Sequence, residues 1–382
     1  MSCLLEVYKK FNIEVSRADG RYLWDSSGKK YTDFLSGISV TNFGHRPPEV
    51  VKSVSGAVSE YMHVSNLFNE RKQELLAERL VKKSFPGKVF FANSGAEANE
   101  TAVKAARKYF DGDKYEIISF QNSFHGRTLA MLAATGQARL RSGFGPVPEG
   151  FLHGEYNFLA SAEDKIGRKT CAIMVEVIQG EGGVLVGEDN FIKGLRKICD
   201  ENGLLLIIDE IQTGMGRTGS FFGYDYYGIK PDIVTMGKAL GGGLPLGACI
   251  IGEKAAPAMK PGDHGSTFGG NPVCCAASLS AVGSLTEGLL SGVREKGEYL
   301  LRSMRELARG YEVIKDVRGR GLMAGVELKI GGAGLIEYLL ERGIIAGCTR
   351  EKVIRFLPPF VIEKEDIDRV VQILSDYFKE KT

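Results

Sequence analysis

Two titratable residues follow apolar, strand-like stretches in this sequence of 382 residues, and their chemistries complement each other. Asp209 comes directly after the stretch 204–208, and Lys238 comes shortly after the stretch 232–235. A carboxylate at a strand end can hold a proton on a ligand nitrogen, and a lysine among small apolar residues has its pKa lowered by desolvation. Lys238 is therefore a candidate nucleophile toward an aldehyde. The ordinary alternatives are a solvated surface lysine and an aspartate that caps the following turn.

A turn of small residues, Ser94, Gly95 and Ala96, follows another strand-like stretch at 88–92 and precedes a predicted helix. Small side chains leave the backbone N–H groups of such a turn open, and the helix N-terminus adds partial positive charge. The turn therefore predicts a site for a phosphate or a carboxylate. A plain N-cap by the Ser94 hydroxyl is the alternative interpretation.

Two arginines have the chemistry to anchor a carboxylate substrate. Arg127 follows the residues F-H-G, and Arg355 precedes the residues F-L-P-P. A guanidinium group binds a carboxylate through two parallel hydrogen bonds, as an enzyme acting on amino acids requires. An ordinary surface salt bridge is the alternative interpretation of each arginine. His125 is interpreted as a packing or supporting residue and not as an acid or base.

These features form one set: a phosphate-binding turn, an aromatic residue that can stack on a ring, an aspartate at a strand end and a desolvated lysine. Pyridoxal phosphate carries the matching phosphate, pyridine nitrogen and aldehyde, so the set predicts a pyridoxal-phosphate enzyme. The G-x-G-x-x-G pattern at 214–219 begins five residues after Asp209 and precedes no amphipathic helix. It is therefore interpreted as a flexible active-site loop and not as a dinucleotide site. An alanine follows Lys238, which excludes a P-loop.

Composition and charge exclude several classes of protein. Lysine and arginine number 49 against 47 aspartates and glutamates, and a net charge of +2 argues against a broadly basic nucleic-acid binder. No apolar run approaches the roughly 18 residues that span a bilayer, and the first residues show no signal-peptide pattern. We therefore expect neither nucleic acid nor a membrane as a partner. The seven cysteines form no C-x-x-C pair, which favours reduced thiols in the cytoplasm and no metal site.

The chain alternates between apolar strand-like stretches and amphipathic helical stretches, which predicts an α/β fold with a mostly parallel sheet covered by helices on both faces. Strands are predicted at 88–92, 115–119, 171–176, 204–208, 232–235, 246–251, 312–318, 321–328 and 353–356. Helices are predicted at 48–60, 70–83, 96–110, 189–201, within 271–308, and at 333–342 and 364–380.

A second, smaller α/β domain is expected to combine an N-terminal meander at 13–34 with the C-terminal part of the chain. The predicted divisions are an N-terminal segment at 1–44, a large cofactor-binding domain at 45–260, and an interdomain helix with the small domain at 261–382.

Long motifs throughout the chain resemble the class III (fold type I) pyridoxal-phosphate aminotransferases. They are S-G-A-E-A-N-E at 94–100, S-F-H-G-R-T at 123–128, V-I-Q-G-E-G-G at 177–183, D-E-I-Q-T-G-M-G-R-T-G at 209–219, P-D-I-V-T-M-G-K-A-L-G-G-G at 231–243 and H-G-S-T-F-G-G-N-P at 264–272. The resemblance implies that Lys238 binds the cofactor aldehyde and that Asp209 keeps the pyridine nitrogen protonated. The other implied cofactor contacts are Phe124 on the ring, Gln212 near its phenolic oxygen, and the Gly95 and Ala96 amides at the phosphate.

The resemblance also implies four substrate contacts and one further cofactor contact, made across subunits. Arg127 and Ser266 would contact the amino donor, and Arg355 would hold the α-carboxylate of glutamate or 2-oxoglutarate. Glu181 would pair with Arg355 while an ω-amino donor is bound. Thr267 would reach the phosphate of the neighbouring subunit, which implies a homodimer with shared active sites.

The resemblance implies a ping-pong transamination, and within the class it is strongest to the branch that uses N2-acetyl-L-ornithine and 2-oxoglutarate in arginine biosynthesis. Ornithine-specific members carry a tyrosine where this chain has Ile38 and a tryptophan where it has His125, which favours an N-acylated donor. Succinylornithine, succinyldiaminopimelate, free ornithine and 4-aminobutyrate remain alternative donors.

Overall fold

The computed structural model describes residues 3–380, in which helices pack against several sheets. The strands are β1 (Val15–Asp19), β2 (Tyr22–Asp25), β3 (Lys30–Asp33), β4 (Gly87–Ala92), β5 (Glu116–Phe120), β6 (Phe151–Gly154), β7 (Thr170–Val175), β8 (Ile178–Gln179), β9 (Leu185–Val186), β10 (Leu205–Asp209), β11 (Ile233–Met236), β12 (Gly247–Gly252), β13 (Ile314–Arg320), β14 (Met323–Leu328), β15 (Ile344–Ile345), β16 (Gly347–Thr349) and β17 (Val353–Phe356). The α-helices are α1 (Ser36–Ser39), α2 (Pro48–Glu60), α3 (Arg71–Lys83), α4 (Gly95–Tyr109), α5 (Leu129–Ala134), α6 (Ala138–Arg141), α7 (Leu159–Glu163), α8 (Asp189–Asn202), α9 (Pro272–Ser284), α10 (Glu287–Gly310), α11 (Ala333–Glu341) and α12 (Lys364–Lys379). Short 3₁₀ helices cover Gly223–Tyr227, Lys238–Gly241 and Ala256–Ala258.

The largest sheet has the strand order β4-β12-β11-β10-β7-β5-β6. β10 pairs in parallel with β7 and β11, and β5 pairs in parallel with β7 and β6. β12 runs antiparallel to both of its neighbours, β11 and β4. Every residue of β7, β10, β11 and β12 is buried, as expected where helical crossovers cover both faces of a sheet. The predicted α/β fold with a mostly parallel sheet is confirmed.

The connection from α8 into β10 shows how the sequence directs this fold. The buried residues of α8 recur at helical spacing and form one apolar stripe, which packs toward the core. Gly203 ends the helix in the left-handed conformation, with a φ of 63°, and its amide bonds back to the last turn. The chain then enters β10, in which four apolar residues are followed by Asp209. The central strand therefore delivers a carboxylate to the carboxyl edge of the sheet.

Segments from the two ends of the chain share smaller sheets. β3 pairs in parallel with β15, with Thr32 opposite Ile344 and Asp33 opposite Ile345. A second small sheet has the order β13-β14-β17-β16, and its strand β17 carries Arg355. This pairing agrees with the expected combination of the N-terminal meander and the C-terminal part. The domain limits at 1–44, 45–260 and 261–382 stay a prediction.

Short elements and one loop differ from the sequence-based expectation. The strand β6 and the helix α5 were not predicted, because four or six residues carry too little periodicity to stand out. The stretch 214–219 is a buried series of turns, in which Met215 and Arg217 are 2% and 0% exposed. The prediction of a flexible loop there is therefore wrong, because the small glycines let this segment pack inside the protein.

Within the described residues, no single helix combines the length and apolar character needed to cross a membrane. Only α9 and α10 taken together, with a bend of 73° between them, pass by length and composition. All seven cysteines are free thiols. Residues 3–380 contain no group of three or more histidine, cysteine, aspartate or glutamate side chains placed to hold a metal ion.

Candidate active site

The two predicted catalytic residues lie at the same edge of the large sheet. β10 and β11 are parallel neighbours, with Asp209 opposite Thr235, and Lys238 follows two residues after β11 ends at Met236. Ligands in open α/β sheets bind at the carboxyl ends of the strands, where both residues are found. Lys238 begins a 3₁₀ helix with a φ of 47°, an uncommon conformation for a residue with a side chain. The topology thus brings the predicted lysine and aspartate together.

The Asp209 carboxylate is fixed by hydrogen bonds on both oxygens. Its Oδ2 accepts a bond of 2.8 Å from Asn99 Nδ2 and lies 2.8 Å from His125 Nδ1, while its Oδ1 accepts 3.0 Å from the Ile211 amide. Asn99 is itself held by Thr235, whose hydroxyl donates to Asn99 Oδ1 at 2.7 Å. The carboxylate is only 3% exposed, so it is preoriented in a nearly dry environment. His125 therefore supports Asp209, which agrees with its interpretation as a supporting residue.

Lys238 has the electrostatic environment of a reactive amine. Burial lowers the pKa of its amine to about 8, and Arg355 contributes in the same direction. The carboxylates of Glu181, Asp209 and Glu176 oppose this shift without overcoming it. Because only the neutral amine is nucleophilic, the lowered pKa makes an appreciable neutral fraction available near neutral pH. The predicted direction of the Lys238 pKa shift is confirmed.

The turn before α4 serves both as a helix cap and as a site with free amides. The Ser94 hydroxyl accepts a hydrogen bond of 3.2 Å from the Glu97 amide, and Glu97 Oε2 accepts one of 2.9 Å from the Asn93 amide. The amides of Gly95 and Ala96 form no hydrogen bond within the described residues, as is usual for a first helical turn. A Cβ on Gly95 would lie 2.7 Å from the Ile211 side chain, so only glycine allows this close packing. Both interpretations of the turn therefore hold, and two amides remain for an anion.

A second polar cluster beside Lys238 consists of Arg355, Glu181 and the neutral Gln212. Arg355 Nη1 donates to Glu181 Oε1 at 2.5 Å and to Gln212 Oε1 at 3.5 Å, and Arg355 is 4% exposed. Burial acts to raise the pKa of Glu181, but Arg355 and Lys238 outweigh it and the pKa falls below its usual value. A Cβ on Gly180 would lie 1.9 Å from Gln212 Oε1, so the absence of a side chain there makes room for Gln212. The structure thus brings together three residues that are far apart in sequence.

Glu176 is a residue of the site that the sequence analysis missed. It follows β7 directly and is 7% exposed, and its Oε2 accepts a hydrogen bond of 3.0 Å from the Phe124 amide. Burial raises the pKa of Glu176 well above its usual value, and the neighbouring Asp209 adds to the rise. Glu176 therefore fixes the backbone of the half-buried Phe124. Its position after an apolar strand, like that of Asp209, was the signal that could have identified it.

The remaining predicted residues lie closer to the surface. Arg127 is exposed, and its guanidinium carbon lies 5.7 Å from the centre of the Phe124 ring. Ser266 Oγ accepts hydrogen bonds of 3.2 Å from Asn93 Nδ2 and 2.9 Å from the Gly269 amide, which places it beside the turn before α4. Thr267 is exposed. The structure therefore joins Ser266 and Arg127 to the edges of the site and leaves Thr267 on the surface.

The side chains and amides at this edge fit pyridoxal phosphate. The free amides before α4 suit its phosphate, because a helix N-terminus favours an anion. The fixed Asp209 carboxylate suits a protonated ring nitrogen, and the Lys238 amine suits the aldehyde. A further buried donor, Arg355 Nε, has no hydrogen-bond partner within residues 3–380.

Comparison with known proteins agrees with this arrangement. A family model for class-III aminotransferases matches residues 6–378. The acetylornithine aminotransferase of Caldanaerobacter subterraneus subsp. tengcongensis is 45% identical over 383 residues, which cover 99% of this chain and 97% of that protein. A structure of the Toxoplasma gondii ornithine aminotransferase, described as showing partial occupancy of PLP at the active site, is 31% identical with a TM-score of 0.94, covering 98% of this chain and 93% of that one. The N-acetylornithine aminotransferase of Stenotrophomonas maltophilia K279a is 34% identical with a TM-score of 0.84, covering 97% and 96% of the two chains. With its partly buried lysine and its buried aspartate at the edge of this sheet, the chain belongs to the class-III aminotransferases.

Proposed function

We propose that this protein is a pyridoxal-phosphate-dependent transaminase that moves the ω-amino group of N2-acetyl-L-ornithine to 2-oxoglutarate. The products are N-acetylglutamate 5-semialdehyde and glutamate, and the reaction is a step of arginine biosynthesis. One observation carries the proposal: Lys238, with its pKa lowered to about 8, lies at the sheet edge that also holds the hydrogen-bonded Asp209. The full-length similarity to acetylornithine aminotransferases supports the choice of donor.

The cofactor side of the site is assigned to the residues that the sheet edge fixes. Bound pyridoxal phosphate supplies an electron sink for negative charge on the substrate carbon that bears the amine. Asp209 would hold a proton at the ring nitrogen, and the amides of Gly95 and Ala96 would bind the phosphate. Phe124 would contact the ring, and Gln212 would contact the side of its phenolic oxygen.

Lys238 has a second role as the group that moves a proton. Its neutral amine would take a proton from the substrate carbon that bears the amino group and deliver it to the cofactor carbon. A general base works best when its pKa lies near the working pH, which matches the value of about 8. The same residue therefore holds the cofactor and transfers the proton.

Arg355 and Glu181 allow one site to accept two kinds of substrate. Arg355 binds the α-carboxylate of glutamate or 2-oxoglutarate through its guanidinium group. An ω-amino donor presents no carboxylate there, and Glu181 then neutralises Arg355 through the bond of 2.5 Å. Arg127 and Ser266 would contact the donor.

We propose a homodimer in which Thr267 of each subunit reaches the phosphate held by the other. Asn66 Nδ2 donates hydrogen bonds of 3.0 Å to the carbonyls of Ser266 and Gly269, so the segments around 66 and 267 form one surface. This surface carries apolar side chains that are largely exposed in the single chain: Met62 at 67%, Leu67 at 90%, Phe68 at 69% and Phe268 at 58%. Apolar area of this kind favours burial against a partner of the same sequence. The proposed location is the cytoplasm, which suits seven free cysteines.

A spectral titration without keto acid tests the proposed donor. The visible band of the protein loaded with pyridoxal phosphate is followed while N-acetylornithine, ornithine or 4-aminobutyrate is added in separate experiments. We expect N-acetylornithine to bleach the band at the lowest concentration. Preferential bleaching by ornithine or 4-aminobutyrate would overturn the donor and retain the class. A loaded protein that no amine bleaches would contradict the transaminase itself.

A further inference from the structure

Arg217 is a completely buried arginine that lies outside the set of residues assigned so far. Its side chain is 0% exposed, and the acceptors of its hydrogen bonds among the described residues are all neutral oxygens. Burial lowers the pKa of Arg217 to about 9, although Asp33 acts in the opposite direction. A buried charge without an ionic partner is costly, so its retention calls for a role that neutral residues cannot perform.

The Arg217 side chain joins two distant parts of the chain to its own segment. Its Nε donates to Ser39 Oγ at 3.0 Å, and its Nη2 donates to Asn42 Oδ1. Its Nη1 donates to the carbonyls of Leu322 at 2.7 Å and Pro358 at 2.6 Å. One planar guanidinium group therefore ties an N-terminal segment and C-terminal segments to the loop that follows β10. A lysine has no planar fork with which to satisfy these acceptors at once.

The N-terminal segment held by Arg217 has a strained backbone. Ser36, Gly37, Ile38 and Ser39 have φ values of 49°, 58°, 61° and 66°. The left-handed conformation costs free energy for every residue with a Cβ, and it persists only where other contacts impose it. The Ser39 hydroxyl, which accepts from Arg217, donates in turn to Asn42 Oδ1 at 3.0 Å. Arg217 therefore supplies contacts that impose the turn.

The strained turn lies next to the reactive part of the site. It contacts the 3₁₀ helix that begins at Lys238, and Ser39 Oγ lies 3.4 Å from the carbonyl oxygen of Gln212. The side chain of Ile38 is 40% exposed, although Ser36 and Ser39 of the same turn are buried. Any relaxation of the turn would therefore move Ile38 relative to Lys238.

We propose that Arg217 is a positioning residue, whose hydrogen bonds to Ser39 and Asn42 hold the left-handed turn at 36–39 and thereby place Ile38 on the donor side of the active site. The inference deepens the proposed function, on which its statement about the donor rests. It predicts a defect in donor binding, because Ile38 moves while Arg355, which binds the keto acid, keeps its own contacts.

The first test measures amide hydrogen exchange at residues 36–42 in the protein without cofactor. Arg217→Lys keeps the charge and removes the fork, and Ser39→Ala removes one acceptor while Arg217 stays. We expect exchange in this turn to accelerate about tenfold in each variant, which is the effect of losing a hydrogen bond to a charged group. In the double variant the effects should be less than additive, because both changes break the same contact.

The second test separates donor binding from keto-acid binding. We expect the KM for N-acetylornithine to rise about tenfold in both variants, while the KM for 2-oxoglutarate changes less than about twofold. The matched control is Arg196→Lys: Arg196 bonds to Asp232 and Asp200 at 2.8 Å each, at the opposite end of the same strands. That control should leave the exchange of residues 36–42 and the donor KM unchanged.

Clear outcomes would overturn the inference. Unchanged exchange in the turn, or equal rises in both KM values, would reduce Arg217 to a contributor to overall stability. If Arg217→Lys does not fold, Ser39→Ala alone decides between these outcomes. Failure of the proposed function is distinguishable, because the wild-type band would then respond to no amine while the exchange experiment would still report on the turn.

Discussion

The cofactor side and the substrate side of the site are built in different ways. Asp209 and Lys238 come from neighbouring strands of one buried sheet, and the Asp209 carboxylate is hydrogen-bonded on both oxygens. On the substrate side, by contrast, Arg127 lies on an exposed loop, and Arg355 lies on β17, a strand of a different sheet. The residues assigned to the cofactor therefore sit on one rigid sheet edge, whereas those assigned to the substrates come from loops and from a second sheet. The predictions below address this difference, beginning with the largest expected effect.

Replacing Lys238 should cause the largest loss. In the proposed mechanism Lys238→Ala removes both the group that binds the cofactor and the base that moves the proton, so turnover should fall by about 10³-fold or more. Steady-state assays with donor and 2-oxoglutarate measure the loss. The matched control is Lys197→Ala on the exposed face of α8, where Lys197 lies 3.6 Å from Glu201, and this variant should retain full activity. Appreciable transamination by Lys238→Ala would refute the assignment.

Asp209→Asn should come next, with a loss of about 10²-fold in kcat/KM, because a fixed charge in a dry site is removed while the shape is kept. Affinity for pyridoxal phosphate should fall as well, which equilibrium dialysis measures. Asp232→Asn is the control at the other end of the strands, where Asp232 Oδ2 accepts 2.8 Å bonds from the Leu206 amide and from Arg196. That variant should lose stability without losing cofactor affinity. Equal cofactor affinity in Asp209→Asn and the wild type would contradict the role of Asp209.

The lowered pKa of Lys238 predicts a pH dependence for cofactor loading. The neutral amine reacts, so the loading rate of the cofactor-free protein should rise about tenfold per pH unit below pH 8 and level off above it. Stopped-flow absorbance measures this rate. A lysine with an ordinary pKa would continue to accelerate toward pH 10.5, and such a profile would show that burial does not tune this amine.

Glu181→Gln should give the smallest effect, and it tests how the site chooses between its two kinds of substrate. The neutral amide no longer competes with the substrate carboxylate for Arg355. The preference for glutamate over the ω-amino donor should therefore increase by roughly threefold to tenfold, the scale of a partly exposed ion pair. Half-reaction titrations with each amine measure that preference. Glu295→Gln, which removes a surface pair with Lys364 at 2.7 Å, is the control and should change neither titration. A preference equal to that of the wild type would show that Glu181 does not control the binding of carboxylates by Arg355.

Residues that sequence reasoning identified stand at a local signal, and of those that it missed Glu176 has such a signal whereas Asn99 and Arg217 lack one. Asp209 and Lys238 stand after apolar strands, and the turn before α4 is a short run of small residues. Asn99 lies inside a helix and Arg217 inside a glycine-rich stretch, so the local sequence does not indicate which residues they bond to. Their roles depend on contacts with Asp209 and Ser39, which lie 110 and 178 positions away.

The sequence by itself determined the parallel sheet, the strand ends that carry the lysine and the aspartate, and the family motifs, because hydrophobic periodicity and turn chemistry act over a few residues. Only the tertiary structure decided that Glu176 accepts a hydrogen bond from the Phe124 amide, that Asn99 donates to Asp209, and that Arg217 donates to Ser39. Burial and pairing of charges depend on residues that are distant in the chain. The pKa of Lys238 and the strain at 36–39 therefore arise only when the whole fold is assembled.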